Sequence, residues 1–69
     1  MEKDYQKIAK LYKEVQELHG LNQEQFALKL GISQAYLSQI LLGKKNPAGD
    51  KIMEIMELRR KVLIRMANL

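Results

Sequence analysis

The chain has 69 residues, a formal net charge of +4, one histidine and no cysteine. That suffices for one domain around one apolar core, near the lower size at which helix packing alone keeps a chain folded. It excludes disulfides and thiolate metal sites, and the lone His19 has no carboxylate cluster with which to build a metal centre, so no metal and no cofactor is expected.

The charge is unevenly spread. Residues 1–30 hold five lysines against five carboxylates, whereas residues 31–69 hold seven cations against three carboxylates. A polyanionic partner is therefore drawn to the second half. No apolar run approaches a membrane span, and the charged N-terminal segment lacks the apolar centre of a signal peptide. These features predict a soluble, cytoplasmic protein with no membrane role.

From Asp4 to His19, Ile8, Leu11, Tyr12, Val15 and Leu18 recur at three- and four-residue steps, with Lys and Glu on the other face. That spacing predicts an amphipathic helix. Gly20 suits its left-handed C-cap, and His19 reads as a polar helix-end residue.

Asn22 is a good N-cap, and Gln25 three positions on completes a capping box. The helix it opens, Gln23 to Leu30, buries Phe26, Ala27 and Leu30. Gly31 breaks it with a positive φ, and Ile32 plugs the corner. Ser33 caps a second short helix, Gln34 to about Leu42, whose inner face is Leu37, Ile40 and Leu41; Gly43 ends it. Lys44-Lys45-Asn46-Pro47-Ala48-Gly49 forms a loop. Asp50 is expected to cap a last helix from Lys51 to near Asn68. With no β-strand pattern and no repeat, the fold class is all-α, a compact single-domain bundle of about four or five helices.

Ala27 stands where two steeply crossing helices must approach, with Gly31 at the turn and Leu37 and Ile40 anchoring the second helix. The outward face of that helix carries Gln34, Ala35, Ser38 and Gln39. A merely solvated helix usually carries Lys and Glu. Gln pairs bidentately with adenine, Ser donates or accepts, and Ala touches a thymine methyl, so these four are the candidate base readers. No acidic residue lies between Gly31 and Pro47. Gln23 at a helix start, the hydroxyls of Ser33 and Tyr36, Lys44, Lys45 and the backbone of Asn46 are candidate phosphate contacts.

The segments Gln23-Glu24-Gln25-Phe26-Ala27, Gly31-Ile32-Ser33-Gln34, Leu37-Ser38-Gln39-Ile40 and Gly43-Lys44-Lys45-Asn46-Pro47 resemble the Cro and phage-repressor (XRE-like) helix-turn-helix family. The resemblance covers residues 21–47 closely and the flanking helices in pattern only. It implies a lambda-repressor-like bundle and a homodimer on palindromic operator DNA, most often as a repressor in a phage or mobile element. It places Gln34, Ala35, Ser38 and Gln39 at the bases, and Gln23, Ser33, Tyr36, Lys44, Lys45 and Asn46 at phosphates. Two departures stand out. Many relatives bury an Arg–Glu pair where this chain has Gln16 and Leu41, so both partners are absent together, far safer than leaving one charge alone. Relatives also often continue with a separate fifth helix.

In the last helix, Ile52, Ile55, Met56 and Leu63 are expected to close the core. Met53, Leu58, Val62, Ile64, Met66 and Leu69 then remain, more apolar surface than one stripe can bury. Either the helix breaks near Arg59-Arg60 and folds back, or the surplus packs against another chain. The expected dimer interface is Leu58, Val62, Met66 and Leu69. The alternative function is an interaction module, such as an antitoxin whose C-terminal helix binds a partner protein. An enzyme is not expected, since no acid/base pair, nucleophile–base set or phosphate-cradling glycine loop is present.

Overall fold

The computed structural model of the chain describes residues 2–68, with side chains from residue 5 onward. The described residues form four helices and no strand: α1 (Glu2–His19), α2 (Gln23–Leu30), α3 (Gln34–Leu41) and α4 (Gly49–Ala67).

Local chemistry sets the boundaries of the first three. The Asn22 side chain accepts from the Gln25 amide at 2.7 Å and the Gln25 side chain accepts from the Asn22 amide at 3.1 Å, closing the capping box. The Ser33 hydroxyl caps α3 by accepting from the Tyr36 amide at 3.1 Å. Helices α1, α2 and α3 all finish in one way, on a glycine of positive φ (Gly20, Gly31, Gly43). After α2, the Gly31 amide reaches the Leu28 carbonyl and the Ile32 amide reaches back to Ala27. This is the paired-bond arrangement that satisfies a helix's last carbonyls while reversing the chain. Ile32 then packs partly against the core, as a corner plug does.

The core is Tyr12 and Val15 of α1, Phe26, Ala27 and Leu30 of α2, Leu37 and Ile40 of α3, and Ile55 of α4. The rings of Tyr12 and Phe26 meet edge to face at 6.4 Å between centroids, a favoured aromatic geometry. Burial pushes the Tyr12 hydroxyl up to about 12, with smaller contributions from Tyr36 and Glu54. That hydroxyl donates weakly to the Lys51 carbonyl at 3.4 Å. The Lys51 ammonium in turn donates to the Leu30 carbonyl at 3.2 Å, placing a cation at the negative end of α2. Gln16, standing where relatives bury an arginine, turns its amide onto the Leu21 carbonyl at 3.2 Å. His19 ends α1, as expected of a helix-end residue; it is half-buried, and its Nε2 atom is shielded from solvent with no hydrogen-bond partner among the described residues.

Helix α4 departs from expectation at its start and in its core-facing stripe, and between them it decides the alternative of a break in favour of a continuous helix. It starts at Gly49 with Ala48 as N-cap and no side-chain cap, so Asp50 does not cap it. Pro47 is buried and brings the chain to the body early, leaving Asp50 in the first turn, where a carboxylate still suits the dipole. The helix runs unbroken through Arg59 and Arg60. Arg59 Nε holds Glu14 of α1 at 2.8 Å and Arg60 Nη2 holds Glu57 at 2.7 Å. These pairs raise the affinity of both guanidinium groups for their protons and hold the Glu57 carboxyl below its usual range.

The core-facing stripe is Ile52, Ile55, Leu58 and Val62, at three- and four-residue steps. Ile55 is fully buried and the other three are half-buried. Met56 and Leu63, expected in the core, are exposed, and Leu58, expected at a dimer interface, packs partly against the core. Both sets of spacings suit a helix; the line along which α1 meets α4 selects the stripe. Leu69 lies outside the described residues.

Candidate nucleic-acid interface

The interface is built on α2, α3 and the loop that follows. Ala27, only 2% exposed, lets α2 and α3 cross closely. Leu37 and Ile40 are fully buried and fix α3 by one face. A helix buried along the edge that Leu37 and Ile40 share turns the positions on its far side outward. Gln34, Ala35 and Gln39 are accordingly exposed, and Ser38 is half-buried at the edge of the same face. The face carries amides, a hydroxyl and a methyl, and α3 has no charged side chain. It matches the donor and acceptor edges of base pairs and brings no carboxylate toward phosphates.

The candidate phosphate contacts surround this face. The Gln23 amide donates to the Gln34 carbonyl at 3.5 Å, which ties the start of α2 to the start of α3. The cap on α2 engages the third helical amide, so the earlier first-turn N–H groups are free of intrahelical partners and can meet an anionic oxygen. The Ser33 oxygen is engaged as the α3 cap, and its hydroxyl proton remains available to a phosphate. Lys44, Lys45 and Asn46 are exposed on the loop. Tyr36 is half-buried, its ring packed partly on the core, and the Lys45 ammonium lies 5.8 Å from that ring's centroid.

All ten residues singled out in sequence thus lie on one contiguous stretch, Gln23 to Asn46, with none fully buried. Two relationships went unread in the sequence: the Gln23–Gln34 link and the Lys45–Tyr36 contact. Both join residues nine or more positions apart, and no local pattern signals them. Among the described residues no group of three histidine, cysteine or acidic side chains could hold a metal ion. Among the described residues, no helix is long and apolar enough to cross a membrane.

A four-helix body with a short cap–turn–cap pair and an uncharged outward face defines a helix-turn-helix DNA-binding domain. The profile of the helix-turn-helix family matches residues 11–58. The chain belongs to that family, in its Cro and phage-repressor (XRE) branch, and is a DNA-binding regulator of transcription. The family is a regulatory one and generally non-enzymatic. Neither a curated protein nor a solved structure matches the chain.

Proposed function

We propose that the protein is a sequence-specific repressor that binds palindromic operator DNA as a homodimer, with α3 in the major groove. The observation that carries this reading is the exposed, charge-free face of α3 between two fully buried anchors. Gln34, Ala35, Ser38 and Gln39 read bases, while Gln23, Ser33, Tyr36, Lys44, Lys45 and the Asn46 backbone hold the phosphates on either side. Occupying an operator this way excludes other proteins from the same DNA.

One recognition helix reads only a few base pairs, too few to select a site in a genome. Two copies holding their α3 helices about 34 Å apart read both half-sites. The apolar stripe of α4 supports such pairing. Leu58 and Val62 are half-buried, but Met66, in line with them, is 52% exposed. The stripe continues to Met66 with no cover among the described residues, and a second α4 offers the matching stripe. Val62 and Met66, with Leu69 beyond the described residues, form this interface.

Selection of bound oligonucleotides from a random pool tests the reading. The expected result is a two-fold symmetric consensus; a one-sided motif contradicts the dimer, and the absence of any consensus contradicts base reading.

A second reading, a module that binds a partner protein through α4, is favoured by one observation: Met53, Met56 and Leu63 are exposed on a face of α4 separate from the stripe just described.

A further inference from the structure

Helices α1 and α4 enclose an open groove of about 1000 Å³. Its apolar floor is Leu11 from α1 and Met53, Met56 and Leu63 from α4. Met53 and Met56 are 72% and 56% exposed and Leu63 36%. Methionines on an exposed floor adapt to whatever apolar side chains arrive, and a furrow between two helices is the shape that receives the apolar face of a third.

The rim of the groove carries four cations, Lys7, Lys10, Arg59 and Arg60, and two carboxylates, Glu14 and Glu57. Both carboxylates are taken up within the chain, Glu14 by Arg59 and Glu57 by Arg60. Among the described residues, the ammonium groups of Lys7 and Lys10 have no carboxylate within ion-pair range. The groove therefore presents net positive charge over an apolar floor.

We propose that this groove is the docking site for an acidic amphipathic α-helix of a partner protein. Aliphatic or aromatic anchors at three- and four-residue steps enter between Leu11, Met53, Met56 and Leu63, while Asp or Glu beside those anchors pairs with Lys7 and Lys10. The proposal deepens the partner-binding reading of α4 and is independent of operator recognition. A second copy of this chain is a poor occupant. At this rim the five cations and three carboxylates of its α4 would meet the like charges of Lys7 and Lys10, whereas the Val62 and Met66 stripe proposed for pairing lies outside the groove lining. A nucleic-acid strand is equally ill-suited, since phosphates gain nothing from a methionine-lined floor.

The test uses the full chain and a fluorescent synthetic helix bearing leucine anchors flanked by glutamates, read by anisotropy. A second peptide keeps the anchors and replaces the glutamates with lysines. The glutamate peptide is expected to bind saturably and about tenfold or more tighter than the lysine peptide, with the preference reversed in a Lys7→Glu/Lys10→Glu protein. Both lysines are exposed, and an unchanged circular dichroism spectrum verifies the fold. Operator binding by that variant, measured in parallel, is expected to persist. Equal binding of the two peptides overturns the acidic partner while leaving a helix-docking groove. Absence of binding by either peptide overturns the partner reading as well. If Met56→Glu converts a self-associating protein to monomers in sedimentation, the groove is occupied by a second copy and the proposal is wrong.

Discussion

The ammonium of Lys45 and the ring of Tyr36 form a cation–π contact, 5.8 Å from nitrogen to centroid, that binds the basic loop to the recognition helix. Tyr36 is itself held, with its ring packed partly against the core. The loop cation is thus steadied beside the outward face of α3 at a gain of about 0.5–1 kcal/mol, the usual range for an exposed contact of this kind. The Lys44 ammonium has no such contact among the described residues, and Lys44 is held through its backbone amide, which donates to the Gln39 carbonyl at 2.9 Å.

Both lysines are assigned to phosphates, and their removal is expected to act uniformly across sequences. Lys44→Ala should weaken binding to preferred and random duplexes alike and shallow the salt dependence by about one unit in the log–log slope. Titrations across a series of salt concentrations check this. An unchanged slope removes Lys44 from the interface.

The turn between α2 and α3 depends on the backbone of Gly31, at φ 70°. A β-carbon there meets no atom within 4 Å, so replacement costs conformational strain and no clash. Gly31→Ala is expected to lower the unfolding free energy by about 1–2 kcal/mol, and Gly31→Asn by less, since asparagine tolerates this region better. Urea denaturation measures both. Equal effects would mean that the left-handed geometry is not what the position demands.

Tyr12 links stability to alkaline pH. Its hydroxyl ionises near 10 when unfolded and is pushed up to about 12 in the folded protein. Between those values the unfolded chain has lost the proton and the folded one has kept it, so unfolding is favoured as pH rises. The contribution is fully present below about pH 10 and is lost through about pH 12, amounting to roughly 3 kcal/mol at most. Tyr12→Phe should remove this component. The stability curves of the two proteins are expected to run parallel below about pH 10, with the unaltered protein falling relative to Tyr12→Phe between about pH 10 and pH 12; curves that stay parallel through that window would contradict the assignment.

The stripe continuing from Leu58 and Val62 to Met66 is assigned to self-association. Replacing Val62 and Met66 by Glu should give monomers in sedimentation. Met66→Glu alone, at an exposed position, should raise the dimer dissociation constant without affecting the fold. Dimers that persist in both proteins place the interface elsewhere.

What could be read from the sequence was whatever its chemistry settles within a few residues. The Asn22–Gln25 box, the Ser33 cap and the Gly31 turn each close within one helical turn, so residue type at fixed spacing determines them. The outward face of α3 was legible for a related reason: burying Leu37 and Ile40 obliges Gln34, Ala35 and Gln39 to face away. Legibility failed where tertiary contact chooses between local options. Asp50 is the better N-cap by residue type, yet Ala48 takes that position because the buried Pro47 brings the chain into the helix earlier. Leu58 and Met56 both fit an apolar stripe, and the approach of α1 puts Leu58 against the core and Met56 in the groove. The Gln23–Gln34 and Tyr36–Lys45 pairings exist only because α2, α3 and the loop are brought together.

Base reading by the Gln34 side-chain amide is measured by comparing Gln34→Ala with the unaltered protein on two duplexes, the preferred site and a random sequence. Gln34→Ala is expected to lose about 1–3 kcal/mol on the preferred site, with binding to random DNA nearly unchanged. An equal loss on both duplexes, or none on either, would contradict it.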